Sequence, residues 1–413
     1  MEGMAVNCRF CNSKLEDVFA DLGKTPFANS YLNSEQISNS EPLYPLCAYV
    51  CSKCFLVQVD EFESPDLIFT NYAYFSSYSK TWLDHVRQYV EKSIKRFSLD
   101  KKSQVIEIAS NDGYLLKFFK DHEVQILGIE PAANVSQVAQ QNGIPTVTKF
   151  FGSKTAEEII QDGKRADLLV AFNVLPHVPN LNDFVMGLKI LLKEDGVITI
   201  QFSAYLLKLI QKVEFDTIYH EHFSYFSLLT LQKVFEYHDL TVFDVEELPI
   251  HGGSLRLYLK HSSNNSIKVM NTVQQKIDEE KQFGLDKIIT YEKFQRQVID
   301  VRKKVVEFFS DARNQNKKIV GYGAAAKGNT FLNYCKIGNE SIQYVVDISP
   351  HKQGLYLPGT HVPIYHPDKI SQTKPDYVVI LAWNLKEEII EQMKHIREWG
   401  GKFVVFIPEM KIL

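Results

Sequence analysis

Two histidines, a glutamate and two tyrosines fall within seven positions, Tyr219-His220-Glu221-His222-Phe223-Ser224-Tyr225. A histidine takes up a proton near neutral pH. A neighbouring carboxylate can orient it and stabilise its cation, and a phenol can donate to a developing oxyanion. Acid–base chemistry is therefore the leading reading of this run. A second metal site is an alternative, because His and carboxylate are common ligands. A purely structural cluster is another. Five of the six cysteines lie in the first 54 residues, as Cys8-Arg9-Phe10-Cys11, Cys47 and Cys51-Ser52-Lys53-Cys54. Two Cys-x-x-Cys pairs can set four thiolates at the corners of a tetrahedron, which suits zinc. Cys8, Cys11, Cys51 and Cys54 are the expected ligands, Cys47 is a spare, and free or redox thiols are the competing reading. Four protein ligands leave no open position, so the metal is expected to be structural.

Two glycine-containing turns complete the set. Val105-Ile-Glu107-Ile-Ala109-Ser-Asn111-Asp112-Gly113 reads as a strand entering a turn, with small residues where a ligand must approach the backbone. Glu130, 17 residues after Gly113, ends the next strand, where an acid can accept two ribose hydroxyls. Phe150 and Phe151 are placed to cover an adenine, and Asn173 to His177 follow a later strand. The second turn is Gly321-Tyr-Gly323-Ala-Ala-Ala326, with Asp347 a further 21 residues on. This is a dinucleotide-type pattern whose backbone N–H groups suit a diphosphate.

The elements that must hold these residues alternate. A helix is expected from Thr81 to about Phe97. Strands follow at Gln104–Ala109, Val124–Glu130, Asp167–Phe172 and Gly196–Phe202. Helices separate them at Tyr114–Lys120, Ala132–Asn142 and Phe184–Leu192. That rhythm implies a parallel sheet with helices on both faces. Residues 264–314 are charged and helical. A second α/β unit restarts at Lys318, with strands at Gln343–Asp347 and Tyr377–Ala382 and a helix near Thr330.

The chain has 413 residues and a formal charge of −4, which excludes a broadly basic nucleic-acid coat. No apolar run approaches the ~20 residues of a membrane span. The start of the chain has no basic region followed by a long apolar stretch, so the cytosol is the expected compartment.

The whole chain resembles the nucleotide-sugar C-methyltransferases that act at ring carbon 3 of a 4-keto-6-deoxyhexose. The resemblance is carried by the two Cys-x-x-Cys pairs, Asn71-Tyr72-Ala73-Tyr74-Phe75-Ser76-Ser77-Tyr78-Ser79 and the run Phe215–Ser227. It extends through His251-Gly-Gly-Ser254-Leu-Arg256, Gly321–Thr330, and Lys352-Gln-Gly354 followed by Pro358-Gly-Thr-His361. It implies an α/β chain of four parts: a small zinc-binding module at 1–70, a central class I, Rossmann-like S-adenosylmethionine methyltransferase domain at 71–262, a helical connector at 263–315, and a C-terminal Rossmann-like nucleotide-sugar-binding domain at 316–413. It implies His222 as base with Glu221 and Tyr219 as partners, and Tyr72 or Tyr74 in the same pocket. Glu107, Ala109, Asn111, Gly113, Glu130, Phe151, Asn173 and His177 would hold S-adenosylmethionine. Ser254, Lys327, Asn329 and Asp347 would hold the sugar nucleotide, of dTDP or GDP type, with no nucleic acid, membrane or obligate protein partner. Gln201-Phe202-Ser203 departs from the family's Glu-x-Pro after the fifth strand. Two other readings remain at this level: an NAD-dependent oxidoreductase using the second glycine turn, and a non-enzymatic zinc-ribbon scaffold.

Overall fold

The computed structural model describes residues 7–62 and 76–413. Three sheets organise the chain. The first is antiparallel and joins β1 (Asp17–Thr25), β2 (Tyr44–Val50) and β3 (Val57–Val59) to a two-residue strand from far along the chain, β9 (Ser224–Tyr225). β3 and β9 pair with Val57 opposite Tyr225 and Gln58 opposite Ser224. The histidine-rich run is thus stitched by its backbone to the cysteine module.

The second sheet has seven strands in the order β10-β11-β8-β7-β4-β5-β6. Its parallel part comprises β4 (Gln104–Ile108), β5 (Gln125–Ile129), β6 (Thr146–Val147), β7 (Ala166–Phe172) and β8 (Leu192–Ser203). β10 (Leu240–Leu248) and β11 (Ser254–His261) extend it antiparallel. The expected all-parallel sheet is therefore mixed. The expected strand Gly196–Phe202 lies within β8, but the two later strands, joined by a short turn with no crossover α-helix between them, were not foreseen. They form a hairpin instead. β4, at the centre, is buried at all five positions, as a strand covered on both faces must be.

The third sheet runs β14-β13-β12-β15-β16-β17. β12 (Ile319–Tyr322), β13 (Val345–Val346), β14 (Ile364–Tyr365), β15 (Tyr377–Ile380) and β16 (Lys402–Val405) are parallel, and β17 (Lys411–Ile412) is antiparallel. In chain order this is 3-2-1-4-5-6, the doubly wound arrangement whose crevice opens where the order reverses.

The helix Lys80–Arg96 starts at Ser79, whose hydroxyl accepts from the Trp82 N–H, and buries Trp82, Val86, Tyr89 and Val90. The charged stretch after the second sheet forms two helices, Asn271–Phe283 and Ile288–Asn314. They are packed elements. Glu280 accepts from the Tyr205 hydroxyl, and Phe294 stacks on Phe19 of β1 at 4.4 Å. Among the described residues no helix is long and apolar enough to cross a membrane.

Candidate active site

The four cysteine sulfurs come together as the spacing suggested. The Sγ atoms of Cys8, Cys11, Cys51 and Cys54 lie within 4.8 Å of one another, with Cys8–Cys54 and Cys11–Cys51 each at 3.5 Å. A disulfide would need ~2.05 Å. A zinc ion bonded to four thiolates at ~2.3 Å spaces the sulfurs by just under 4 Å, so the cage fits that ion. Cys47 stands outside the cage. All four ligands come from this chain, so the metal's contribution is to fold the module.

At the carboxyl ends of β4, β5 and β7 lies a cavity of about 410 Å³. This is the reversal point of the second sheet's parallel part, where such sheets bind ligands. Ala109, Asn111, Glu130, Phe151, Asn173 and His177 line it, with Trp82 from the preceding helix and Asp183 at its rim. The turn after β4 keeps left-handed backbone at three alternate positions: Ala109 (φ 54°), Asn111 (φ 50°) and Gly113 (φ 79°). Glycine is forced only at the last of these, where a Cβ would come 2.7 Å from Ile144 Cγ1. Asn tolerates this region, and Ala bears a modest strain that the surrounding turn imposes. Glu130 closes the turn by accepting from the Asn111 and Ala132 N–H groups, both at 2.9 Å. Glu107 and Gly113 are not part of the cavity wall. Glu107 is fully buried behind the turn, and desolvation raises its pKa well above the carboxylate range. The apolar walls, the acid at the end of β5 and the close backbone approach fit an adenosyl group. S-adenosylmethionine supplies an electrophilic methyl group when bound.

The histidine run sits beside this cavity. His177 Nδ1 donates to the Glu221 carbonyl oxygen at 2.7 Å, and its ring lies 4.7 Å from the ring of His222. His222 Nδ1 lies 3.0 Å from the Thr217 carbonyl oxygen, which can only accept, so Nδ1 carries the proton and Nε2 the lone pair. The Tyr219 hydroxyl, 2.7 Å away, donates to that Nε2. Burial lowers the pKa of His222 well below the usual 6.5, with His177 and the Lys327 ammonium adding to the shift. The imidazole is therefore neutral at physiological pH.

Glu221 was expected to orient His222. It does not reach that ring. Its carboxylate accepts from Asn29 Nδ2 at 2.7 and 3.0 Å, and burial pushes its pKa up to about 7. The orienting acceptor is the Thr217 carbonyl. A backbone carbonyl has no sequence signal, and Asn29 lies 192 residues from Glu221. His220 is packed among Phe27, Tyr44 and Phe62 and bonds the Pro45 carbonyl at 3.1 Å. It serves the core. Tyr72 and Tyr74 fall outside the described residues.

Around the second glycine turn the local bonds are internal. Asp347 accepts from the Ala324 N–H at 2.8 Å and from the Ser349 N–H at 2.8 Å. The Ala324 carbonyl accepts from Lys352 Nζ at 2.8 Å and from the Tyr31 hydroxyl. Asn329 is buried and gives its amide to the Ala28 carbonyl. Ser254 Oγ donates to the Ile250 carbonyl at 3.1 Å, in the turn between β10 and β11. Of the four residues expected at the sugar nucleotide, Asp347 bonds the turn that leads into the helix carrying Lys327 and Asn329, and Ser254 begins β11. Lys327 faces the stretch just before the histidine run: its Nζ stands 4.7 Å over the Trp383 ring, whose Nε1 donates to Asp216 at 2.7 Å. Burial raises Glu214 to about 7 and Asp216 to about 6, against the pull of Lys327. Gln201, at the departure from Glu-x-Pro, accepts from Arg256 Nε at 3.1 Å and Nη2 at 2.7 Å, and its Oε1 lies 3.0 Å from His85 Nε2. It holds a buried arginine behind the cavity.

Residues 8–69 match a zinc binding domain, residues 82–245 a methyltransferase domain and residues 249–408 the C-methyltransferase C-terminal domain. The chain is 33% identical to C-methyltransferase NovU of Streptomyces niveus over 406 residues, 98% of this chain and 96% of that one. Solved structures similar to part of the chain include magnesium protoporphyrin IX methyltransferase from Synechocystis, with S-adenosylhomocysteine bound (13% identity, TM-score 0.34, 44% of this chain and 83% of that one). A methyltransferase from Anabaena variabilis is another (14%, TM-score 0.33, 46% and 99%). Three consecutive domain matches and full-length identity with one C-methyltransferase lead to one conclusion: this chain belongs to the C-methyltransferase family.

Proposed function

We propose that the enzyme methylates ring carbon 3 of a nucleotide-linked 4-keto-6-deoxyhexose, with His222 as the base. The observation that carries this reading is the neutral His222, its Nδ1–H tied to the Thr217 carbonyl and its Nε2 aimed at Tyr219, one ring away from the cavity fitted to an adenosyl group. A sugar C–H bond beside a ketone is acidic because its electron pair can spread onto the carbonyl oxygen. In the proposed step Tyr219 turns its O–H to that oxygen, and Nε2 takes the proton from carbon 3. The electron pair then returns from the enolate oxygen through carbon 3 to the methyl carbon. The carbon–sulfur bond breaks, and S-adenosylhomocysteine leaves. Holding carbon 3 and the methyl group in line supplies much of the rate. The domain division, 1–70, 71–262, 263–315 and 316–413, is part of the same proposal, with Lys327 of the C-terminal part close enough to lower the pKa of His222.

Incubating dTDP- and GDP-linked keto-deoxyhexoses with S-adenosylmethionine tests the reading by mass spectrometry. The expected product is heavier by one methylene. In deuterated water without methyl donor, carbon 3 should exchange its proton. A product methylated on oxygen, or no exchange at carbon 3, would overturn the proposal.

A further inference from the structure

Between the zinc ligands Cys8 and Cys11 the knuckle carries Arg9, whose side chain leaves the metal and runs to the histidine run. One Nη1 donates to the carbonyl oxygen of Phe223, the residue that follows His222, and to Ser224 Oγ at 3.2 Å. Nη2 donates to the Val59 carbonyl at 2.8 Å, and the guanidinium stands 5.5 Å over the Phe223 ring. The Phe223 carbonyl also accepts from the Val59 N–H at 3.1 Å. Arg9's own N–H is fixed by Gln58 Oε1 at 2.9 Å, and its carbonyl by Asn182 at 3.4 Å.

We propose that Arg9 is a positioning residue for His222, so that the metal-folded knuckle sets the angle of the base. The inference rests on His222 being that base. The fork clamps the Phe223–Ser224 peptide, one residue beyond His222, while Thr217 holds the ring through Nδ1. The knuckle fixes where the fork stands, because ligands Cys8 and Cys11 flank it. The planar guanidinium presents its N–H groups in a fixed fork, one branch on Phe223 and the other on Val59. Loosening this peptide lets the ring drift from its line to carbon 3, and a shift of about 1 Å in such a group costs about a hundredfold in rate.

The test uses full-length Arg9→Met and Arg9→Lys. Four quantities are measured: zinc content, affinity for S-adenosylhomocysteine, kcat with KM for the methyl donor, and the 15N ring resonances of His222, assigned by their loss in His222→Asn. Zinc content, S-adenosylhomocysteine affinity and KM are expected to hold. In Arg9→Met kcat falls about a hundredfold and the Nδ1–H resonance of His222 shifts or broadens. Arg9→Lys recovers part of both, since it keeps charge without the fork. An unmoved resonance with full kcat overturns the proposal. So does a loss of zinc and donor affinity in step with kcat, which would make Arg9 a merely structural residue. If the wild-type enzyme transfers no methyl group to any keto-sugar while Arg9→Met still moves the His222 resonance, the functional reading fails and the positioning role stands. Should Arg9→Met not fold, Arg9→Lys carries the same readouts.

Discussion

His222 gives its Nδ1–H to the carbonyl oxygen of Thr217 across 3.0 Å, five residues back along the same turn. That bond leaves one nitrogen, Nε2, to take a proton. Replacing His222 with Asn is expected to leave S-adenosylhomocysteine affinity intact and to cut kcat by about 10²–10⁴-fold. Titration calorimetry beside a turnover assay separates the two, and normal kcat in the variant removes the base from this position.

Because His222 must be neutral to act, and its pKa lies well below 6.5, acid should inhibit late. The kcat profile is expected to stay flat from neutral pH down through 6.5 and to fall only below that. A descending limb centred at or above 6.5 would show that another group governs the acid side.

Tyr219 donates to His222 in the resting enzyme and is proposed to serve the enolate oxygen in the reaction. Tyr219→Phe keeps the ring packing, and its loss of one oxyanion donor is expected to lower kcat by about 10²–10³-fold. Proton exchange at carbon 3 should slow in parallel, because the enolate forms before methyl transfer. Slow methyl transfer with undiminished exchange would assign Tyr219 elsewhere.

Gly113 combines φ 79° with a Cβ position 2.7 Å from Ile144 Cγ1. Gly113→Ala is expected to destabilise the fold by about 1–3 kcal/mol and to weaken donor binding. Denaturant unfolding measures the first and calorimetry the second. A variant as stable as the parent would show that the turn relaxes freely.

Glu280 is buried, accepts from the Tyr205 hydroxyl and from the Leu228 and Leu229 N–H groups, and is raised to about 7 by desolvation. Its folded pKa exceeds its unfolded one, near 4.3, so the folded state holds the proton more tightly. The stability this contributes is present in full below the unfolded value and is lost as pH rises through about 7. Melting temperature should therefore fall between pH 5 and 8, and Glu280→Gln should flatten that slope. An equal slope in both proteins would locate the pH dependence in other groups.

Replacing Cys11 with Ser removes one corner of the sulfur cage. Metal analysis should find about one zinc per chain in the parent and little in the variant, with a lower melting temperature. Retention of zinc at the parent level would mean that the described cage is not the binding site.

The βα rhythm from Gln104 to Phe202 was legible in the chain because buried parallel strands are continuous apolar runs and their turns need small residues. The observed strands Gln104–Ile108, Gln125–Ile129 and Ala166–Phe172 follow that pattern closely. The cysteine cage was legible because ligand spacing alone makes a tetrahedron reachable. The partner of Glu221 was not. Asn29 stands in the loop between β1 and β2, 192 residues from Glu221, and nothing local to either residue marks the pairing. The same holds for Arg9: its proposed role comes from β3 meeting β9, which sets Gln58 opposite Ser224, 166 residues further along the chain. Residue types and short spacings specify which chemistry is available. Which nitrogen of His222 holds the proton, and what holds the ring, depends on backbone carbonyls that only the folded chain brings within hydrogen-bond distance.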